Sequence, residues 1–416
     1  MARERNYPPR APYLQLTTSL RQPPAAAFFY LLPWYSPPGI GLFQSQEVHV
    51  LHIRQPFETH VHARQDAILR TVVPLIARQF WGAIFEPNLA VPITTAEQGL
   101  AYRVEILTAS REYPKFEPFV LAYLTDSVDP EALERSLRDG IFIGAKFYPR
   151  GATTNSDSGI ANVQMLYTPG APQYDALCAI ASAGKVLQLH CELNYDFEGY
   201  ELDPYDKEPY FFEEVLPRII DAHPDLKISC EHLTCSEGAD FLLHHGGPTL
   251  GCSITPHHLL YDRRDMFRGG LRPHLFCLPV IKAEENREAL FELVLRGLPF
   301  VYAGTDSAPH DRRKKESDCC SGGVFSSHAP VELYAQAFEL AGSSPESPAF
   351  EKFLSINGPA FYDLAPSERR ITLRQEPWTV DELLNYSLDP QDIIRPLGYE
   401  QDPEERAILE WRAETE

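Results

Sequence analysis

The chain has 416 residues, 44% of them hydrophobic, so it can bury one large core or two ordinary ones. Its 58 acidic residues outnumber its 37 basic residues and give a formal net charge of −21. Binding to a phosphate backbone or to an anionic membrane surface requires positive charge, so this composition argues against nucleic acid and membrane partners. An anionic substrate would have to be held by local cations.

The cysteines and the first 45 residues bear on the compartment. The eight cysteines show no Cys-x-x-Cys spacing and most lie in apolar runs, which predicts free thiols in a reducing, cytoplasmic compartment. Residues 24–43 are rather apolar, but Pro33, Pro37 and Pro38 interrupt them and argue against a membrane helix. We predict that residues 1–45 form a poorly ordered extension, with an organelle transit peptide as the alternative.

From residue 47 onwards, predicted strands alternate with predicted helices. The strands cover residues 47–54, the segment through His60 and His62, 82–88, 119–125, 143–148, 185–192, 226–232, 251–255 and 299–306. The helices cover residues 67–79, 95–110 (opened by Thr94), 130–138, 174–183, 211–222, 236–244 and 284–296. About eight such units predict an α/β fold, a closed (β/α)8 barrel of the TIM type over residues 46–362. Helical patterns at 330–340 and 349–354 follow, and we predict that the acidic residues 363–416 form a small appendage packing on the barrel.

The segment Thr59-His60-Val61-His62-Ala63-Arg64 is the first that suggests chemistry. Side chains two residues apart on a strand point to the same side, so both histidines could bind one metal. Arg64 shares that face and would suit an anionic substrate. A strand with two incidental histidines is the alternative.

Other predicted strands also end in polar residues, namely Asn88, Lys146, His190, His232 and Asp306. In a (β/α)8 barrel the carboxyl ends of all strands meet at one mouth, where barrel enzymes keep their active sites. Four histidines, a lysine and an aspartate are too many ligands for one tetrahedral zinc ion. They predict two Zn²⁺ ions about 3.5–4 Å apart that share a water molecule, because imidazole suits zinc and no candidate ligand is a thiolate.

Lys146 and Asp306 have distinct predicted roles in such a site. The neutral amine of a lysine can react with carbon dioxide, and the resulting N6-carboxylated Lys146 would bridge the two metals. Composition alone leaves open that Lys146 is a barrel-core lysine paired with an acid. Asp306 could take a proton from the attacking water and return it to a leaving nitrogen. The predicted reaction is hydrolysis, or reversible closure, of an amide-like bond.

Several segments are similar in amino-acid sequence to segments of a known family. They are Glu86-Pro-Asn-Leu-Ala90, Ala145-Lys-Phe-Tyr-Pro149, Ala152-Thr-Thr-Asn155, Leu189-His-Cys-Glu192, Glu231-His-Leu-Thr234, Arg272-Pro-His-Leu-Phe-Cys-Leu-Pro279, Gly304-Thr-Asp-Ser-Ala-Pro-His310 and Asn357-Gly-Pro-Ala-Phe361. On these segments the chain resembles the monofunctional (class II) dihydroorotases of the amidohydrolase superfamily. The resemblance runs from about residue 48 to residue 362.

The resemblance implies a role for each site residue. One zinc would be held by His60, His62 and Asp306, and the other by His190 and His232, with carboxylated Lys146 between them. The substrate carboxylate would be bound by Arg64, Asn88 and His310. Backbone groups at Leu278 and near Gly322 would bind the ring. Thr153 and Thr154 would lie on a loop that closes over the substrate, with ordinary loop residues as the alternative.

The activity implied by the resemblance is the reversible, zinc-dependent cyclisation of N-carbamoyl-L-aspartate to L-dihydroorotate in pyrimidine (UMP) biosynthesis, by a homodimer. The alternatives are a hydantoinase- or dihydropyrimidinase-like cyclic amidase and a catalytically impaired scaffold. Three positions depart from the usual family residues. Glu58 stands for aspartate, Gln65-Asp66 for an acid followed by glycine, and Cys191 for glycine.

Overall fold

The structure, a computed structural model, describes residues 48–415, so the predicted extension 1–45 lies outside the described residues. Its strands are β1 Val50–Arg54, β2 Phe57–Val61, β3 Gly82–Phe85, β4 Glu117–Tyr123, β5 Gly144–Phe147, β6 Val186–Leu189, β7 Lys227–Cys230, β8 Leu250–Ile254, β9 Val301–Ala303, β10 Arg370–Arg374, β11 Trp378–Thr379, β12 Leu384–Asn385, β13 Ile393–Ile394, β14 Ile408–Leu409 and β15 Arg412–Thr415. Its α-helices are α1 Asp66–Gln79, α2 Ala96–Ala109, α3 Pro130–Arg138, α4 Pro172–Ser182, α5 Lys207–Tyr210, α6 Leu216–Ala222, α7 Ser236–His245, α8 Pro256–Leu260, α9 Glu284–Leu295, α10 Arg312–Lys315, α11 Pro330–Leu340, α12 Pro348–Glu351 and α13 Asn357–Phe361. π-helical turns at Phe211–Val215 and Lys352–Ile356 join α5 to α6 and α12 to α13.

Within residues 48–415, no helix is long and apolar enough to span a membrane.

Strands β2 to β9 form one parallel sheet in sequence order. Backbone hydrogen bonds close this sheet between its first and last strands. The Asp306 N–H donates to the His60 carbonyl oxygen at 2.8 Å, and the His62 N–H donates to the Ser307 carbonyl oxygen at 3.1 Å. The predicted (β/α)8 barrel is therefore confirmed, and all its strands end at one rim.

The strand predicted at 47–54 forms, but it does not belong to the barrel. β1 pairs antiparallel with β10, which in turn pairs antiparallel with β15, in a separate three-stranded sheet. Helix α11 holds the last of these strands, because the Ala413 N–H donates to Glu332 at 3.0 Å. The Trp411 indole N–H likewise donates to Glu339 at 2.7 Å. The proposed domain boundary at residue 362 stays a prediction.

Helix α2 begins one residue later than predicted. Its N-cap is Thr95 rather than Thr94, because the Gln98 N–H donates to the Thr95 hydroxyl while the Gln98 side chain accepts from the Thr95 N–H. This reciprocal pair, a capping box, requires the glutamine three residues after the cap. Only Thr95 has that spacing.

At the amino ends of the barrel strands lies an apolar group that we call the basal cluster. It consists of Phe57, Trp81, Ile84, Leu121, Ile143, Val186, Tyr302, Phe361 and Tyr362. The rings of Phe57 and Trp81 are 4.8 Å apart between centroids. Phe361 and Tyr362, at the end of α13, cap the cluster, and Gln188 donates to the Tyr362 hydroxyl at 2.7 Å. This end of the barrel is filled with side chains, which leaves the opposite rim for polar groups.

Candidate active site

The structure brings the six candidate metal ligands together at the carboxyl rim. His60 lies in β2 and Lys146 in β5, and the other four lie within three residues of the end of a barrel strand, namely His62, His190, His232 and Asp306. His62 Nε2 lies 3.0 Å from Asp306 Oδ1, and His60 Nε2 lies 3.4 Å from the same oxygen. His190 Nδ1 lies 3.1 Å from His232 Nε2.

These residues are suited to hold cations. Ligand atoms of His60, His232 and Asp306 lie within 4.8 Å of one another, and all three residues are buried. Lys146 Nζ is also buried, and neither it nor His232 Nδ1 has a hydrogen-bond partner in the described chain. Buried polar atoms are nearly always partnered, so these unpaired atoms indicate that the site is completed by groups from outside the chain. The donor set therefore fits metal ions, and imidazole nitrogens suit zinc.

Three buried glutamates orient the ligands. Glu231 Oε2 lies 2.7 Å from His60 Nδ1, and Glu192 Oε2 lies 2.7 Å from His190 Nε2. Carboxylates in these positions fix the tautomer of a metal-binding imidazole. They leave Nε2 of His60 and Nδ1 of His190 facing the site. Glu86 Oε2 lies 3.6 Å from Lys146 Nζ.

Sequence reasoning assigned no role to these glutamates. Each occurs in a segment that resembles the family, and Glu192 and Glu231 lie within two residues of a candidate ligand in the chain. An acid in an apolar strand, one or two residues from a candidate ligand, is the signal that could have found Glu231 and Glu192. Glu86 required the fold, because its partners Tyr148, His60 and Lys146 are distant from it in the chain.

Charges in the site match those of a cation-binding centre. Burial raises the pKa of Asp306, but hydrogen bonds from His60 and His62 outweigh this effect and hold that pKa well below its usual value. Burial lowers the pKa of His62 to about 4. Burial also acts to lower the pKa of His60, but the nearby Glu86 carboxylate raises it to about 9. A bound cation would replace the proton that Glu86 favours on His60.

Several rim residues have backbones in the left-handed region. The φ angles are 59° at Arg64, 43° at His232 and 43° at Asp306. Residues other than glycine adopt such angles at a free-energy cost, and they concentrate at functional sites. At His232 the conformation is held by the backbone N–H, which donates to the Ser253 hydroxyl at 2.8 Å. At Asp306 the conformation is held by the backbone N–H, which donates to the His60 carbonyl oxygen and so closes the barrel.

Two of the predicted carboxylate-binding residues, Arg64 and Asn88, line the same pocket, and the third, His310, contacts Arg64. Arg64 Nη2 lies 3.0 Å from His310 Nε2, and Arg64 Nε donates to the Pro309 carbonyl oxygen at 3.2 Å. Burial, together with the Arg64 charge, holds the pKa of His310 well below its usual value. His310 is therefore neutral at pH 7, and the positive charge offered to an anion here belongs to Arg64.

The loop between β5 and α4 lies across the pocket. Asn88 donates to the Thr154 carbonyl oxygen at 2.9 Å, and the Thr154 hydroxyl donates to the Gly322 carbonyl oxygen at 3.2 Å. Asn155 returns a bond to the Asn88 carbonyl oxygen at 2.9 Å. Thr153, Thr154, Leu278 and Gly322 line the pocket together with the candidate ligands. The residues lining it that sequence reasoning missed are Tyr148, Ala308 and Gly323.

Two of the departures from the usual family residues have structural roles. Oε1 of the Glu58 carboxylate accepts the His60 N–H at 3.0 Å and the Thr305 N–H at 2.8 Å, so it links the first and last barrel strands. Burial raises the pKa of Glu58 to about 7. Asp66 has a φ of 55°, the region that favours the glycine usual in the family. The third departure, Cys191, is buried beside His190.

Comparison with known proteins decides the family. The dihydroorotase of Aromatoleum aromaticum is 40% identical to this chain over 350 residues, which cover 84% of this chain and 97% of that relative. The chain belongs to the dihydroorotase family. No protein-family model matches the chain.

Solved dihydroorotase structures share the fold. The Campylobacter jejuni dihydroorotase superimposes with a TM-score of 0.76 at 30% identity, covering 89% of this chain and 99% of that chain. The Saccharomyces cerevisiae dihydroorotase in complex with 5-fluoroorotic acid superimposes with a TM-score of 0.78 at 25% identity, covering 88% and 99%. The matched region therefore spans nearly the whole length of these two dihydroorotases.

Proposed function

We propose that the chain catalyses the reversible, zinc-dependent cyclisation of N-carbamoyl-L-aspartate to L-dihydroorotate in pyrimidine (UMP) biosynthesis. Its membership of the dihydroorotase family makes it a hydrolase acting on a cyclic amide. One observation carries the choice of substrate: the rim histidines and Arg64, which contacts His310, line the same pocket. A substrate there needs an amide group to react and a carboxylate to be held. A neutral hydantoin-type ring offers no such carboxylate.

In this proposal His60, His62 and Asp306 would hold one Zn²⁺ ion, and His190 and His232 would hold a second. N6-carboxylated Lys146 would supply a further anionic ligand, which is supported by the burial of its Nζ atom and by the lack of a hydrogen-bond partner for that atom among the described residues. When bound, the ions polarise the substrate carbonyl group and lower the pKa of the attacking water. The glutamates Glu231 and Glu192 keep the imidazoles in the tautomers that face the ions.

Asp306 is the proton carrier in the proposed reaction. Its low pKa keeps it ionised, so it can accept a proton from the attacking water as the ring opens. It then delivers that proton to the ring nitrogen as the carbon–nitrogen bond breaks. Ring closure follows the same path in reverse. Both directions conserve atoms, because one water molecule enters or leaves for each ring opened or closed.

Arg64, Asn88 and His310 orient the substrate through its carboxylate. Arg64 supplies the charge, and a guanidinium can donate two parallel hydrogen bonds to a carboxylate. Asn88 also holds the loop at Thr154, so binding of the carboxylate and closure of the loop involve the same side chain. Backbone groups at Leu278 and near Gly322 bind the ring. The closed loop, with Thr153 and Thr154, excludes water that would compete with the reaction.

We further propose a cytoplasmic homodimer. All eight cysteines are free, which supports a reducing compartment.

Helix α2 exposes an apolar stripe of Leu100, Val104 and Leu107, whose exposed fractions are 48%, 62% and 44%. Residues at this spacing share one face of a helix, and a second copy of the chain would cover it. Sedimentation of Val104→Glu tests this: a monomer supports the α2 interface, and an unchanged dimer places the interface elsewhere.

The deciding experiment measures turnover of L-dihydroorotate by the purified chain after incubation with zinc and bicarbonate, with bound zinc counted on the same sample. Turnover with at least two zincs per chain is the expected result. A matched sample without bicarbonate should lose activity if carboxylated Lys146 is required. Turnover of hydantoin or dihydrouracil, but not of L-dihydroorotate, would overturn the substrate and favour the cyclic amidase. Absence of both zinc and turnover would favour the scaffold.

A further inference from the structure

A second group of metal-type ligands lies outside the rim site. It consists of His257 and His258 in α8 and Cys277 in the segment that leads to Leu278. One ligand atom from each residue lies within 4.8 Å of the others, and all three residues are buried. None of them belongs to the predicted set of zinc ligands. The proposed function uses none of these side chains, so the group needs its own explanation.

The distances among the His258, Cys277 and Pro279 atoms are close to those of a tetrahedral site, and the His257 atom lies within 4.8 Å of those of His258 and Cys277. Cys277 Sγ lies 3.5 Å from His258 Nε2 and 3.2 Å from the Pro279 carbonyl oxygen. His258 Nε2 lies 3.1 Å from the same carbonyl oxygen. With Zn–S of about 2.3 Å and Zn–N or Zn–O of about 2.0–2.2 Å, the ligand atoms of a tetrahedral zinc lie about 3.3–3.6 Å apart. Small shifts of these atoms would therefore admit the ion.

His257 provides an independent indication of a ligand. Its side chain is fully buried, and neither of its ring nitrogens has a hydrogen-bond partner among the described residues. Leaving a buried polar group unpaired costs about 1–3 kcal/mol, so native structures rarely contain one without a reason. A metal bound at one of these nitrogens would give that atom a partner.

The surroundings of His258 resemble the outer shell of a metal site. Its Nδ1 atom lies 2.8 Å from the Thr255 hydroxyl. A metal-binding histidine usually donates its other ring N–H to an oxygen, which fixes the ring and its tautomer. His258 Nε2 donates to the Pro279 carbonyl oxygen, so binding of an ion at Nε2 would require the ring proton to move to Nδ1, where the Thr255 hydroxyl can accept it. The same hydroxyl caps α8, since it accepts the His258 backbone N–H at 3.1 Å.

The protonation states also suit a cation. Burial lowers the pKa of His257 to about 4 and that of His258 well below its usual value, so both imidazoles are neutral ligands at pH 7. Burial raises the pKa of the Cys277 thiol, which stays protonated when no cation is near. A divalent cation reverses that preference, and binding releases the thiol proton to solvent.

We propose that His257, His258 and Cys277 bind a structural zinc ion, with the Pro279 carbonyl oxygen as the fourth ligand. The ion ties α8 to the segment 277–279 and so fixes the position of Leu278, which lines the active-site pocket. The site shares no ligand with the rim, and the proposal does not depend on the reaction. Because the group is fully buried, the ion enters as the chain folds.

X-ray absorption at the zinc edge of the full-length wild-type protein tests the proposal. Every rim ligand is nitrogen or oxygen, so sulfur scattering at about 2.3 Å from zinc would report the new site alone. We expect one such sulfur and three zincs per chain. A spectrum without sulfur, or two zincs per chain with full turnover, would overturn the third site and leave the proposed function intact.

Two variants identify the cysteine that gives the sulfur signal. Cys277→Ser should remove the sulfur signal and one zinc per chain. The matched control is the double variant Cys319→Ser/Cys320→Ser, which removes two neighbouring thiols of which Cys319 is exposed. It should keep both the signal and the third zinc, and loss of the signal there would assign it to a surface site and overturn the proposal. If Cys277→Ser does not fold, the cobalt-substituted wild type decides. Thiolate-to-cobalt absorption supports the site only if it survives in the control variant.

Discussion

The two ends of the barrel use the same strands for opposite purposes. At the amino ends, the basal cluster fills the interior with aromatic and aliphatic side chains. At the carboxyl ends, the same strands lead into four histidines, a lysine and an aspartate, most of them buried and close together. β2 alone shows the contrast, because it begins at Phe57 in the basal cluster and runs into His60 and His62 at the rim.

This difference shows where the protein gains and loses stability. Burial of apolar area at the base is favourable, at about 25 cal/mol per Å². The rim buries charges and holds His232 and Asp306 at positive φ, both of which oppose folding. Substitutions at the base should therefore change stability with little effect on catalysis, and substitutions at the rim should do the reverse.

Asp306→Asn should have the largest effect, because the amide keeps the side-chain size but cannot accept the proton. We expect kcat for L-dihydroorotate to fall by about 10²–10⁴-fold, the usual contribution of a general acid–base group. Bound zinc should be partly retained and circular dichroism unchanged. A variant with near-normal kcat would show that Asp306 does not carry the proton.

Phe57→Ala tests the base. Removing this buried ring should lower the free energy of unfolding by about 3–5 kcal/mol, because it deletes apolar contacts and leaves a cavity. The kcat of the folded fraction should not change. Leu388→Ala is the matched control, since Leu388 is fully exposed and should have no effect on unfolding. Denaturant unfolding measures both variants. A catalytic defect in folded Phe57→Ala would contradict the division between the two ends.

Arg64→Ala separates binding from chemistry at the rim. Loss of one or two charge-assisted hydrogen bonds to the substrate carboxylate should weaken binding by about 2–4 kcal/mol. The measurement is KM for L-dihydroorotate, with Arg268→Ala as a control for loss of a positive charge, because Arg268 pairs with Asp265 and does not line the pocket. An unchanged KM in Arg64→Ala would remove this residue from the carboxylate site.

Substitutions of Asp66 test how much its positive φ costs in stability. Alanine tolerates a φ of 55° poorly, so Asp66→Ala should destabilise the fold by about 1 kcal/mol. Asp66→Gly should destabilise it less, because glycine adopts this conformation without steric cost. Thermal unfolding of the pair measures the difference. Equal losses would show that the acid at the start of α1, rather than the backbone angle, is what matters.

Glu332, which lies away from the rim, should add a small pH dependence to the free energy of unfolding. Burial raises its pKa, although hydrogen bonds from the Ala413 N–H and from Gln79 oppose the shift. The folded state then binds the proton more tightly than the unfolded state, so stability from this group is present at low pH and is lost as pH rises through the folded pKa. Glu332→Gln should show a flatter pH dependence of unfolding above about pH 4.5. Parallel pH profiles would contradict this prediction.

Much of the fold could be predicted from the sequence because its signals are local. Alternating strand and helix patterns indicated the barrel, and the polar residues at strand ends indicated its active rim. Position along the chain was enough for His190, His232 and Asp306, since a barrel brings every strand end to one mouth. The separate sheet of β1, β10 and β15 was not predicted, because its pairing joins segments more than 300 residues apart.

What only the tertiary structure decided is how groups distant in the chain complete one another. The sequence by itself determined the barrel, the family and the candidate ligands, since each depends on short patterns of residue type. It did not determine that Glu231 orients His60, that Glu58 joins the first strand to the last, or that His257 and Cys277 converge. These are contacts between side chains on different strands and loops, and they exist only once packing has fixed the distances between them.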